Sequence, residues 1–301
     1  MAHKIGVVGS INADMTLTAE RIPGRGETLM GSSVMYSAGG KGANQAYAAA
    51  RFGADAAMFG CVGDDANGRA MVENLKSAGV DVQYIETVKD VPTGLAVITV
   101  GDGDNTIIVI PGANDCVTCE YIDRIWPALS EMDAVLIQQE IPAETVDYVI
   151  GLCHGKGITT VLNPAPAREI RRETLEAADY LTPNEHETGL IFPGEKMEDL
   201  LGKYPHKLVV TLGEKGAAAS GLSGEILRVP AGKVTVCDTT GAGDTFNGIL
   251  TALIAEEWPL EKAMLYANTG AGLSTERMGA QSGMPTLREI EACLKKGETD
   301  K

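Results

Sequence analysis

The chain is short of positive charge. Its 301 residues carry 25 Lys and Arg against 41 Asp and Glu, a net charge of −16. That balance lacks the electrostatic footprint of a nucleic-acid binder, so no nucleic-acid partner is expected. The same field repels anions. An anionic ligand would have to be held by a local device: a helix N-terminus, converging backbone N–H groups or a divalent cation. Long hydrophobic runs are missing too. The N-terminus has no apolar signal core and no stretch is long enough to span a bilayer, so a cytoplasmic protein with no membrane partner is expected. Histidine is rare, at four widely spaced residues. The C-x-x-C of Cys116 and Cys119 has neither a preceding strand nor a second ligand pair, so all six Cys are expected as free, mostly buried thiols. Phe and Trp number only four and two, whereas Gly numbers 36, which suggests tight turns and close backbone approach to a ligand.

What is present is ordinary globular material, 44% hydrophobic and 22% charged, enough for one large domain spanning residues 1–301. Apolar runs alternate with helical patterns. Residues 4–9, 56–62, 134–137, 159–162, 208–212 and 233–237 read as strands. Residues 40–52, 67–78, 143–153, 169–178, 244–256, 260–274 and 287–295 read as helices. That rhythm predicts an α/β fold: a doubly wound, mostly parallel sheet flanked by helices. Two stretches break it. Residues 27–37 are strand-like with no helix before Gly39, and 93–100 and 106–110 flank a Gly-Asp-Gly-Asp-Asn hairpin signal. They predict a small antiparallel β-lid inserted at about 13–38 and 93–111, with an apolar face that needs a cover.

The richest motif is Asp238-Thr239-Thr240-Gly241-Ala242-Gly243-Asp244 at the start of a long helix. Gly241, Ala242 and Gly243 let backbone N–H groups converge with the helix dipole behind them, which makes an anion hole. Asp244 comes after the point where a capping Asp belongs, so it can face the bound anion and accept a hydroxyl proton. The alternative is a plain capped helix after a Gly-rich turn. Neither G-x-x-x-x-G-K-[ST] nor G-x-G-x-x-G is satisfied anywhere. In Gly39-Gly40-Lys41-Gly42-Ala43-Asn44, Lys41 and Asn44 offer donors suited to hydroxyls. Asp14, in Asn12-Ala13-Asp14, can accept from two adjacent hydroxyls. Glu140 lies at the carboxyl edge of a strand, where open α/β sheets bind ligands. Asn184 and Glu187 are spaced to share a helical face, with Glu187 able to hold Mg²⁺ through water. The turn Thr211-Leu212-Gly213-Glu214-Lys215-Gly216 is suited to lie along a nucleotide.

Taken together, the chain resembles the ribokinase family of sugar kinases over its whole length, from Asn12-Ala13-Asp14 to Gly279-Ala280-Gln281. The resemblance implies ATP-dependent phosphorylation of a small sugar, with D-ribose phosphorylated at its 5-hydroxyl as the first expectation. A kinase for deoxyribose, a hexose or a nucleoside is the alternative, and a non-catalytic sugar-binding protein the third. It implies that Asn12, Asp14, Gly40, Lys41, Asn44 and Glu140 hold the sugar and that Asp244 is the base. Ala242 and Gly243 would stabilise the transferred phosphoryl group. ATP would contact Asn184, the turn from Thr211 to Gly216, Gly243 and Asn268, with Mg²⁺ ordered by Glu187. A K⁺ site would fall on Asp238, Thr240, Ser274, Arg277, Gly279 and Gly283, the last standing where a Ser is usual. The resemblance also implies a homodimer packed through the lids.

Overall fold

The computed structural model describes residues 3–299. The chain opens with β1 (Lys4–Val8), buried after its first residue. β2 (Asn12–Thr18) and β3 (Ser33–Gly39) follow, then α1 (Lys41–Phe52), β4 (Asp55–Gly63), α2 (Ala66–Ser77) and β5 (Ile85–Val88). The hairpin of β6 (Gly94–Gly101) and β7 (Asp104–Ile110) leads through a 3-10 turn (Gly112–Cys116) into α3 (Cys119–Leu129), β8 (Ala134–Ile137), α4 (Ala143–Lys156) and β9 (Thr159–Leu162). Next come α5 (Arg172–Ala177), β10 (Tyr180–Leu181), α6 (Glu185–Ile191), α7 (Met197–Lys203), β11 (Val209–Thr211), β12 (Ala217–Ser220) and β13 (Ile226–Val229). The chain ends on α8 (Ala242–Ala255), α9 (Leu260–Ser274) and α10 (Leu287–Thr299).

Six strands form a wholly parallel sheet in the order β10-β9-β8-β1-β4-β5. Side chains alternate across it and feed two separate cores. Ile5, Val7, Ala134 and Leu136 point to the layer of α1, α8 and α9, joining Ala46, Phe246, Ile249 and Met264. Val8, Val135 and Ile137 point to α3 and α4, joining Ile122, Leu129, Val149 and Ile150. This is the doubly wound arrangement, with apolar strands buried on both faces. Single parallel bridges, Leu181 to Leu208 and Asn184 to Thr211, lead on to the three-stranded sheet β11-β12-β13.

α8 is buried from Asp244 to Ala255. Gly248 lies mid-helix, where glycine costs about 1 kcal/mol relative to alanine. A Cβ there would stand 2.6 Å from the Gln45 carbonyl oxygen, so the glycine permits the close contact of α8 with α1. The second small sheet, β3-β2-β6-β7, stands apart. Its β2–β3 and β6–β7 pairs are antiparallel and its middle pair, β2–β6, is parallel.

Several expectations are corrected. Residues 233–237 form no strand; their side chains are largely exposed and the segment is held by the Cys237 N–H donating to the Thr275 carbonyl. The Val/Thr pattern there finds no neighbouring strand. Strand structure in 27–37 begins only at Ser33, and the helix expected over 169–178 is confined to Arg172–Ala177. The thiols are free, but only Cys61 and Cys153 are buried and Cys237 is exposed. α3, which begins at Cys119 after the capping Thr118, was not anticipated. No helix among the described residues is long and apolar enough to cross a membrane.

Candidate active site

The carboxyl ends of β1 and β8 face the N-termini of α1 and α8, and the polar side chains of the site converge there. Gly40 caps α1 with φ 85°, a value only glycine adopts without strain, and a Cβ on it would lie 2.7 Å from the Asn12 nitrogen. No side chain of its own caps this helix. Glu140 does so from 99 residues away: its Oε2 accepts from the Lys41 N–H at 3.0 Å and from the Ser10 hydroxyl.

Asp244 is the third residue of α8 and is buried. Asn44 Nδ2 donates to its Oδ2 at 2.9 Å and Gln45 Nε2 to its Oδ1 at 3.0 Å. Burial pushes its pKa up, against the opposing pull of Lys41, Asn44 and Gln45. Such a carboxylate is a stronger base than an exposed one. Asp14 is raised to about 7, chiefly by burial and then by the charges of Glu140 and Asp244. Burial works against the Lys41 ammonium, but Asp244, Glu140 and Glu187 hold its pKa above the usual lysine value. One cation thus stands among three carboxylates.

α8 begins at Gly241, with φ 78° and no side-chain cap. A Cβ on Gly241 would lie 2.8 Å from that of Ala280, so the segment around Gly279-Ala280-Gln281 packs directly on the helix start. No side chain caps this 14-residue helix; the Ala242 N–H donates to the Thr239 carbonyl at 3.3 Å, and Gly243 next to it is exposed.

Of the residues expected to meet nucleotide, Asn184 and Thr211 are bridged side by side. Asn184 and Glu187 also form a capping box on α6: Asn184 Oδ1 accepts from the Glu187 N–H, and Glu187 Oε2 from the Asn184 N–H, both at 2.8 Å. Gly213–Lys215 form a short 3-10 turn closed by the Leu212 N–H donating to Gly216, and Lys215 pairs with Glu185 at 3.8 Å. Asn268 is buried on α9, its Nδ2 donating to the Val229 carbonyl at 2.9 Å. The cation candidates gather from two segments. Asp238 accepts from Thr240 N and Oγ1 and, at 2.8 Å, from Gly279 N. Gly283 lies against Ser274: a Cβ would stand 2.2 Å from the Ser274 carbonyl oxygen, so this backbone has no room for the usual Ser. The Arg277 guanidinium turns to Glu289 of α10 at 3.1 Å.

Sequence reading missed a second set of buried amides. Asn114, in the 3-10 turn, takes the Ile11 N–H and donates to Asn12 Oδ1 at 2.7 Å, which leaves the Asn12 amide nitrogen for a ligand. Gln45, Gln138, Asn163 and Gln281 also lie behind the site. Gln281 stood inside a quoted motif and Gln45 directly after one, but their partners are remote in sequence.

A doubly wound sheet whose carboxyl edge combines an uncapped helix start, a buried basic carboxylate and further buried polar side chains is the architecture of an ATP-dependent carbohydrate kinase. The family model described as pfkB family carbohydrate kinase matches residues 2–287, and the chain belongs to that family. It is 47% identical to the ribokinase of Bacillus subtilis (strain 168), over 97% of this chain and 99% of that one. It is 42% identical to the ribokinase of Lactococcus lactis, over 98% of each. The structure of the Arabidopsis thaliana ribokinase complexed with ribose and ATP superposes with a TM-score of 0.89 at 32% identity, covering 98% of this chain and 99% of that one.

Proposed function

We propose that the protein transfers the γ-phosphoryl group of ATP to the 5-hydroxyl of D-ribose, giving ribose 5-phosphate and ADP. The observation that carries this is Asp244: buried, held by Asn44 and Gln45, and one turn inside an uncapped helix start. Full-length identity to ribokinases supports ribose as acceptor. Asp14, the Asn12 amide and Glu140 bind the ring hydroxyls and aim the primary hydroxyl at Asp244. Asp244 takes the hydroxyl proton as the oxygen bonds to the γ-phosphorus and the bond to the bridging β–γ oxygen breaks. The N-terminal amides of α8, at Gly243 and, on leaving the Thr239 carbonyl, at Ala242, stabilise the charge on the moving group, with the Lys41 charge acting nearby on Asp244.

Among the described residues no three His, Cys, Asp or Glu side chains gather as a metal cluster. Mg²⁺ would be carried by the phosphates, with Glu187 reaching it through water; it neutralises phosphate charge when bound. The backbone of 238–240 and 274–283, where the Ser274 carbonyl lies against Gly283, would hold K⁺, whose bound charge supports the anion hole; Gly283 contributes no hydroxyl.

The test is ADP release across pentoses, hexoses and nucleosides, in K⁺ and in Na⁺. Ribose gives the highest rate, a 5-phosphate product and faster turnover in K⁺. No release with any acceptor would return the chain to a sugar-binding role. We also infer that two copies pair through the β2-β3-β6-β7 sheet, because Val34, Tyr36, Ile108 and Ile110 lie exposed on it, Ile108 at 68%. Light scattering should give a dimer that Ile108→Asp splits; a monomeric wild type would reject this.

A further inference from the structure

Behind the base lies a chain of side-chain amides whose direction is fixed by one backbone carbonyl. Asn163, after β9, donates its Nδ2 to the Thr182 carbonyl at 3.0 Å. A carbonyl only accepts, so Asn163 must turn its Oδ1 the other way, toward Gln45. Gln45 Nε2 donates to that Oδ1 at 3.0 Å and, with its second hydrogen, to Asp244 Oδ1 at 3.0 Å. Gln45 Oε1 then faces β8, where Gln138 Nε2 donates to it at 2.7 Å. Flipping the Gln45 amide would set its oxygen against two acceptors, one of them a carboxylate, and would point hydrogens at a donor. The network therefore permits one orientation.

The second oxygen of Asp244 is braced in the same way. Asn44 Oδ1 accepts from Gln281 Nε2 at 2.9 Å, which turns Asn44 Nδ2 toward Asp244 Oδ2. The two braces differ in one respect. Asn44 borders the proposed sugar site. Gln45 is 0% exposed and sealed between α1, α8 and the sheet, so it touches no substrate. Gly248 sets its depth, because the α1–α8 contact it permits runs past the Gln45 carbonyl.

We propose that Gln45 is a positioning residue for phosphoryl transfer, which locks the Asp244 carboxylate in one rotamer and keeps it ionised in a buried site by a hydrogen bond oriented from the Thr182 carbonyl through Asn163. This rests on the reading of Asp244 as the base. A hydrogen bond to a charged group is worth about 1.5–3 kcal/mol, so losing the donor should cost about ten- to a hundredfold in rate.

The test is Gln45→Met, which keeps the length of the side chain and removes both donor and acceptor. The single-turnover rate with ribose and ATP is measured against pH, with ribose KM and Tm alongside. The expected result is a rate about ten- to a hundredfold lower, a ribose KM changed far less, and an acid limb displaced to higher pH. The sign follows from the role: a base that loses a donor to its charged form holds its proton to higher pH. Gln138→Met frees the Gln45 oxygen without touching Asp244 and should shift rate and limb the same way by less; if Gln45→Met does not fold, this variant is read by the same criteria. An unchanged rate, or a lower rate with the acid limb unmoved, overturns the proposal. Asp244→Asn separates the two readings: if it is inactive while Gln45→Met behaves as wild type, only this inference fails, and if it retains turnover the base reading fails first.

Discussion

α1 and α8 both start from a glycine with positive φ, 85° at Gly40 and 78° at Gly241, and neither has a side-chain cap of its own. At α1 the first amide is already taken by the Glu140 carboxylate, which arrives from the loop after the neighbouring strand β8 and holds Ser10 as well. At α8 no carboxylate comes to the helix start, and the first-turn acid, Asp244, is turned back into the protein by Asn44 and Gln45. One helix dipole is thus satisfied from within and becomes frame. The other has no side-chain cap and is the end proposed to hold the transferred group. A chain with a net charge of −16 can bind phosphate because the contrast is local.

Matched substitutions break the contrast on each side. The larger effect belongs to α8. Gly241→Val puts a branched side chain at positive φ and a Cβ 2.8 Å from that of Ala280, a strain of about 2 kcal/mol or more. Turnover should fall by more than about a hundredfold with weaker nucleotide binding, since several converging donors are displaced at once. Tm should fall by several degrees. Normal turnover would mean that this helix start does not carry the transferred group.

The smaller effect belongs to α1. Glu140→Gln keeps an acceptor for Lys41 N–H and loses the charge, a change of about 1 kcal/mol. Ribose KM should rise several-fold while nucleotide binding holds. It also shifts the pH dependence. Asp14 is raised to about 7 by burial and then by the charges of Glu140 and Asp244, so in the wild type ribose KM should rise as pH falls through about 7. Removing the Glu140 charge relieves Asp14, and the rise moves to lower pH. An unmoved profile would leave burial and the Asp244 charge as the causes.

The sequence showed the frame of this site and hid its bracing. Lys41, Asn44, Asp244 and the glycines around them sit in dense motifs, and Glu140 follows an apolar run, so its placing past a strand end was readable; Asn12 and Asp14, expected in a loop after β1, lie inside β2 instead. The amides behind them carried no local signal. Gln45 meets Asn163 across 118 positions and Gln281 meets Asn44 across 237, separations that only the fold closes. Residues 233–237 failed for the opposite reason: they carry a strand-like pattern where no neighbour waits to pair. Asn184 and Glu187 show a third case, since their three-residue spacing marks a capping box as readily as a ligand pair.

The central claim is that Asp244 accepts the proton of the acceptor hydroxyl while the open end of α8 carries the anion. It is tested most directly by ribose-dependent ADP release from Asp244→Asn, with ATP binding measured on the same sample. The expected result is wild-type nucleotide affinity and turnover lower by about a hundred- to ten-thousandfold, the loss of a general base. Sugar-dependent ADP release near the wild-type rate would contradict it.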